Sequence, residues 1–253
     1  MSEYERFRAQ SEQDVEAQGS DDEFLAKTRT WIGHAMEYRY SYHFEWLGRP
    51  IIQFPQDIVA MQEIVWAVQP DLIIETGIAH GGSLILSASL LELNASCGGP
   101  PAAQVVGIDI DIRRHNRSAI EDHPLSPRIS MIEGSSTEPV VFSQVAEFAS
   151  NASKVLLCLD SNHTHPHVLR ELEIYAPMVS VGSYCIVFDT LIEELSSEYL
   201  ASTDRPWEPG NSPGSAVDAF LAGSGGERFV VDHSVTNRLM VTSARGGYLK
   251  RVV

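Results

Sequence analysis

A chain of 253 residues is long enough for one large α/β domain with a full core and short for two independent ones. Its 43% apolar and 21% charged residues give the balance of a folded chain, not a disordered one. The net charge of −16 sets up a field that repels polyphosphate, which argues against nucleic acid and anionic membranes as partners while leaving local basic spots able to hold a small anion.

The opening "MSEYERFRAQSEQDVEAQGSDDEF" is polar and acidic, and residues 1–22 are expected to form a mobile acidic tail ahead of a single domain over 23–253. No apolar run reaches the roughly 18 residues of a membrane span, and no signal peptide is expected, so the location is read as cytoplasmic. Between Asp22 and Trp46, Phe24, Leu25, Trp31, Ile32, Met36 and Tyr40 recur near helical spacing and predict one or two helices. The aromatic cluster Trp31, Tyr38, Tyr40, Tyr42, Phe44 and Trp46 either covers the sheet or makes a homo-oligomer contact, and the latter is expected.

"WLGRPIIQFPQD" breaks regularity at Gly48, Pro50 and Pro55, after which "IVAMQEIVWAV" reads as a helix ending before Pro70. Strand "DLIIETG", helix "GGSLILSASLLELNAS", strands "AQVVGIDID" and "RISMIEG", helix "VVFSQVAEFAS" and strand "KVLLCLDSN" follow. Helix "HPHVLRELEIYAPMV", strand "GSYCIVFDT", helix "SAVDAFLAG" and a terminal pair, "RFVVDH" and "RLMVTS", read as an edge hairpin, complete the pattern. Wholly apolar strands separated by amphipathic helices imply an α/β, doubly wound, mainly parallel sheet with an N-terminal helical extension. "RPWEPGNSPGS", 205–215, reads as a loop over a site. Of three cysteines, Cys158 and Cys185 lie in apolar strand runs and are expected to be reduced core thiols, while their spacing with Cys97 fits no zinc motif.

Ligands of such sheets bind outside the carboxyl ends of the strands, and each strand here ends in polar residues. These are Glu75-Thr76-Gly77, then Asp109 and Asp111, then Glu133-Gly134-Ser135-Ser136, then Asp160-Ser161-Asn162-His163, then Asp189-Thr190. A dinucleotide pyrophosphate wants bare amides at G-x-G-x-x-G spacing; here Glu75 places negative charge beside a turn spaced G-x-x-x-G-G. A ligand with a cationic centre and an amino acid part suits this turn better, and S-adenosylmethionine is one. Glu75, Gly77, His80, Gly81, Gly82 and Ser83 are then its turn residues, Asp109 its ribose acceptor, and Ser135, Ser136 and Asp160 further contacts. The glycines alone would also serve a tight strand-to-helix turn, and Asp111 is a second ribose candidate.

Asp160 and Asp189 end what read as neighbouring strands, where two carboxylates repel unless a proton or cation lies between them. A divalent ion with hard oxygen ligands, most simply Mg²⁺, resolves that repulsion, and His163 is placed as the base for an acceptor hydroxyl, with Asp160 as an alternative base. His163, His165 and His167 alternate as a zinc set can, but Pro166 spoils the regularity.

Together, "WLGRPIIQFPQDI", "PDLIIETGIAHGGSLI", "VGIDIDIR", "DSNHTHPHVLRELEIYAPMVSVGSY" and the final "DT" resemble the family that groups rhamnosyl O-methyltransferases with the cephalosporin hydroxylases of antibiotic pathways. The resemblance covers roughly residues 30 to 245. It implies a class I methyltransferase fold, S-adenosylmethionine as cofactor and, in several members, Mg²⁺, with Asp160 and Asp189 matching acidic metal positions. Phe188 departs from members that carry a second acid there. The expected activity is O-methylation of a sugar hydroxyl, on a nucleotide-activated deoxysugar such as TDP-rhamnose or on a glycosylated natural product. Participation in β-lactam hydroxylation, and a non-catalytic cofactor-binding partner protein, remain as alternatives.

Overall fold

A computed structural model describes residues 1–223 and 225–253. Helices α1 (Glu3–Gly19) and α2 (Asp22–Glu37) lead to a hairpin of β1 (Phe44–Trp46) and β2 (Arg49–Ile51) and then α3 (Pro55–Val68). The sheet and its helices follow as β3 (Leu72–Thr76), α4 (Gly82–Ser96), β4 (Gln104–Asp109), α5 (Arg114–Glu121), β5 (Ile129–Glu133), α6 (Pro139–Ser150), β6 (Val155–Leu159), α7 (His165–Tyr175) and β7 (Tyr184–Val187). After α8 (Ser197–Ala201) come α9 (Pro213–Ala222), β8 (Phe229–Val231), α10 (His233–Leu239) and β9 (Tyr248–Arg251).

Seven strands lie in the order β5-β4-β3-β6-β7-β9-β8. β3 to β7 are parallel, and β9 runs antiparallel between β7 and β8. All five residues of β3 and of β6 are buried, because helices cover both faces. Ile73, Val105, Leu156 and Ile186 face α3 and α4, whereas Leu72, Ile74, Val106 and Leu157 face α6 and α7, the period-two division of a pleated sheet.

The expected terminal hairpin is corrected in one strand. Residues 233–239 form α10, and β9 lies later, at Tyr248–Arg251. Asp232 caps that helix through Ser234 N, and the buried Asp57 carboxylate takes hydrogen bonds from Ser243 N and Tyr248 Oη, so the "VTS" stretch serves as a polar clasp to α3. Residues 3–19, in the segment expected as a tail, form α1, capped reciprocally by Ser2 and Glu5, with none of its residues buried. Its Gln18 Nε2 donates to Asn237 O at 2.6 Å.

Three of the N-terminal aromatics pack inward: Phe44 and Trp46 lie against the main core, Tyr40 meets Trp31 and Phe44 edge-on, and Trp46 Nε1 donates to Ser89 Oγ on α4 at 3.0 Å. Trp31, Tyr38 and Tyr42 remain exposed. No helix among the described residues is long and apolar enough to cross a membrane.

Candidate functional site

The register levels the carboxyl ends of the strands. Thr76 stands beside Ile108 and Leu159, Asp109 beside Glu133, and Leu159 beside Val187. The chain winds from β3 outward to β5 and then returns to β6 and β7, so the loops after β3 and β6 part at the switch point. A cleft of about 640 Å³ opens there, a volume ample for a small-molecule ligand.

One wall is the turn after β3. Gly77 has φ +91°, and a Cβ there would stand 2.1 Å from the carbonyl oxygen of Asp160, so only glycine lets the two loops touch. Ile78 N and Ala79 N donate to Asp109 Oδ2 at 2.8 and 3.2 Å, and Asp111 N to Oδ1 at 3.1 Å. The carboxylate thus fixes the turn, and a carboxylate's four lone-pair sites leave one on Oδ1 for a ligand. Gly77, His80, Gly82, Ser83 and Asp109 line the cleft with Ser135 and Ser136. Gly81, φ +85°, instead packs against Ile120, and Asp111 is exposed beside Arg113.

Glu75 lies beneath the turn and does not line the cleft. Burial pushes its carboxyl up to about 7, against the opposing hydrogen bonds of Ser83 and Ser87. It borders a cavity of about 10 Å³ shared with Gln53, Ser83, Ser87 and Asp160, room for one water. Glu75 Oε1 and Gln53 Oε1 are both buried without a protein partner there. Gln53 was not singled out from the sequence, where it stood inside an irregular Pro-rich stretch.

The opposite wall holds Asp160, His163 and Asp189, whose candidate ligand atoms all lie within 4.8 Å of one another. His163 Nε2 is 3.5 Å from Asp189 Oδ2, and its ring meets Trp207 edge-on at 6.4 Å. Asp189 holds a left-handed φ of +56°, a conformation rare for a non-glycine residue and often met at functional sites. Burial pushes the Asp160 carboxyl well up, and the charge of Asp189 adds to the effect. Phe188 is buried beneath them and borders the small cavity. His165 and His167 do not join this group: His165 Nδ1 pairs with Ser215 Oγ at 2.8 Å, and His167 Nε2 with Ser136 Oγ at 3.0 Å.

The expected loop over the site lies there, with Arg205, Pro206 and Trp207 lining the cleft. Glu193 tethers it by accepting from Gly210 N at 2.9 Å. Arg39, Tyr42 and Tyr199 also line the cleft; Tyr42 stood out in the sequence only as one of the N-terminal aromatics, and Arg39 and Tyr199 carried no signal.

Known proteins resemble this chain in sequence or in fold. The rhamnosyl O-methyltransferase of Mycobacterium tuberculosis (strain ATCC 25618 / H37Rv) is 29% identical over 198 residues, 77% of this chain and 73% of that one. An apo-structure of CmcI, 18% identical, superposes with a TM-score of 0.56 over 84% of this chain and 77% of its own. A Mg–SAM structure of CmcI, also 18% identical, gives 0.55 over 84% and 78%. At that identity the two structures speak for the fold alone. The family model described as Rhamnosyl O-methyltransferase/CmcI matches residues 38–252, all of the sheet and both walls of the cleft, and the chain belongs to the rhamnosyl O-methyltransferase/CmcI family.

Proposed function

We propose that this member of an S-adenosylmethionine-dependent O-methyltransferase family methylates a hydroxyl of a sugar, with a nucleotide-activated deoxysugar such as TDP-rhamnose as the favoured acceptor. The observation that carries the reading is the facing of a glycine turn tied to Asp109 by the Asp160, His163 and Asp189 group across one cleft.

The carboxylates of Asp160 and Asp189, with ligand oxygens within 4.8 Å of each other, fit a hard divalent cation such as Mg²⁺ with room for further oxygen ligands, and the His163 imidazole beside them stays free to act as a base. When bound, the cation would lower the pKa of an acceptor hydroxyl, and S-adenosylmethionine would supply an electrophilic methyl on a sulfonium centre. The residues to hold S-adenosylmethionine are Gly77, His80, Gly82 and Ser83 for the amino acid part, Asp109 for the ribose, and Ser135 and Ser136 beyond it. Gly81 shapes that turn, and Glu75 supports it from below with a carboxylate favourable to a cationic ligand.

Asp160 and Asp189 fix the direction of the acceptor oxygen. His163 takes the hydroxyl proton, and Asp189, 3.5 Å from its Nε2, stabilises the imidazolium so formed. Trp207 holds the ring by its edge and shields the site from bulk water. Most of the acceleration then comes from alignment of oxygen and methyl within the cleft.

Residues 23–253 act as one catalytic unit in the cytoplasm, and the exposed Trp31 and Tyr38, outside the cleft, suit a contact between copies. Calorimetric titration with S-adenosylmethionine, followed by a product assay on purified protein with a panel of nucleotide sugars, tests the reading. Binding without methyl transfer to any sugar would leave a cofactor-binding protein in place of an enzyme.

A further inference from the structure

We propose that the acceptor is an anion, and that Arg39 and Arg205 hold its phosphate or carboxylate group at the outer end of the cleft. The inference rests on reading the cleft as a methyltransferase centre and narrows the class of acceptor it takes.

Both arginines line the cleft, and among the described residues neither side chain forms an ion pair or a hydrogen bond. Arg117, Arg128 and Arg238 each sit against a glutamate, and Arg29 and Arg114 are likewise without a partner among the described residues but do not line the cleft, so what sets Arg39 and Arg205 apart is their place. A guanidinium at the wall of a ligand cleft favours an oxyanion that can take two parallel N–H bonds, a carboxylate or a phosphate.

The placement of the pair is built. Arg39 ends the turn after α2 in a left-handed conformation, φ +50°, and its guanidinium carbon lies 5.8 Å from the centroid of the Tyr42 ring. A cation–π contact does not use up the N–H groups, which remain able to bind an oxyanion. Tyr199 lies near Tyr42, Asp189 and Arg205: burial pushes its phenol up, Tyr42 and Asp189 add to this, and Arg205 opposes it. Arg205 precedes by two positions the Trp207 that meets His163. The cationic end is therefore continuous with the end at which the acceptor hydroxyl is handled. Tyr42, Tyr199 and Trp207 supply apolar faces for a sugar ring, and the arginines lie where a charged substituent of that sugar would emerge.

Net charge sharpens the argument. A field of −16 disfavours the approach of an anion from a distance, so such a substrate needs short-range cations, whereas a neutral or cationic acceptor needs none. A diphosphate-linked sugar and a sugar carboxylate offer the same oxyanion.

The test uses wild-type protein, Arg39→Gln and Arg205→Gln, with TDP-rhamnose, a methyl uronoside and neutral methyl rhamnoside as acceptors. TDP alone is also titrated into protein saturated with S-adenosylhomocysteine. The expected results are binding of TDP or turnover of the uronoside by wild type, and a KM or Kd for the charged probe raised roughly three- to tenfold by each substitution. S-adenosylhomocysteine affinity should hold in both variants, and the effect should shrink as salt rises. Preference for TDP-rhamnose or for the uronoside identifies which oxyanion is read. Methylation of methyl rhamnoside in preference to both charged sugars, unaltered constants in both variants, or no binding of any charged probe overturns the inference and leaves the methyltransferase reading standing. Failure of wild type to bind S-adenosylhomocysteine overturns both.

Discussion

The carboxylate of Glu171, wholly buried on α7, lies 3.4 Å from Nε2 of His167, whose ring opens onto the cleft. Ser161 Oγ donates to the same oxygen of Glu171 at 2.8 Å, and the other oxygen is buried without a partner. Removing the imidazole leaves a buried acid short of its strongest neighbour. His167→Ala is expected to cost about 2 kcal/mol, a fall in Tm of roughly 4–8 °C. Adding Glu171→Gln to it should recover part of the loss. Thermal unfolding of the two single variants and the double variant checks this, and strictly additive losses would show that the two residues act separately.

Glu75 makes stability depend on pH in a direction opposite to a paired surface acid. Its folded carboxyl titrates at about 7, above the ordinary 4.5. Below the ordinary value both the folded and unfolded chains are protonated, and the buried acid carries no penalty. As pH rises toward about 7 the unfolded chain ionises first, and stability falls by about 3 kcal/mol before levelling off. The Glu75→Gln variant should therefore gain on wild type between about pH 5 and about pH 8 in urea denaturation. A constant difference across that range would mean that the acid is already ionised in the folded state.

Asp109 ties down two amides of the turn, so its loss acts on cofactor affinity through the loop as well as through any direct contact. Asp109→Ala is expected to weaken S-adenosylhomocysteine binding by about 1.5–3 kcal/mol, and Asp109→Asn, which keeps one acceptor oxygen, by less. Calorimetry measures both. Equal dissociation constants for the three proteins would remove this residue from the site.

Turnover is expected to depend on a divalent cation held by Asp160 and Asp189 as a unit. Asp160→Asn and Asp189→Asn should each lower kcat by at least about a hundredfold, and the double variant should be little worse than either. Mn²⁺ titration followed by electron paramagnetic resonance gives a readout independent of activity and should lose its bound signal in both variants. Full methyl transfer by chelated protein would leave proton removal to His163 alone.

Much of the sheet was legible because β3, β4, β6 and β7 are buried on both faces, so their sequences are apolar without alternation. β9 escaped because only its first two residues, Tyr248 and Leu249, are buried, whereas the more apolar "RLMVTS" belongs partly to α10. The β1–β2 hairpin was hidden for a different reason. Its turn uses left-handed φ at Leu47 and Gly48, and leucine there gives no turn signal. In the site, acids at strand ends were readable one strand at a time. The partnership of His163 with Asp189 was not, since it depends on how far the loop after β6 leans toward the end of β7. Gln53 and Arg39 lay outside the strand-end pattern altogether, and only tertiary packing brings them to the cleft.

The contact between Gly77 and the backbone of Asp160 has a consequence for how the protein can change. With the two backbones in contact, the turn proposed to hold the methyl donor and the loop proposed to present the acceptor oxygen are mechanically coupled. A substitution that repositions either one drags the other out of line. New acceptor preferences are therefore open to evolution, or to design, along the rim of Tyr42, Tyr199 and Arg205, where side chains can be exchanged without disturbing the aim of the reaction.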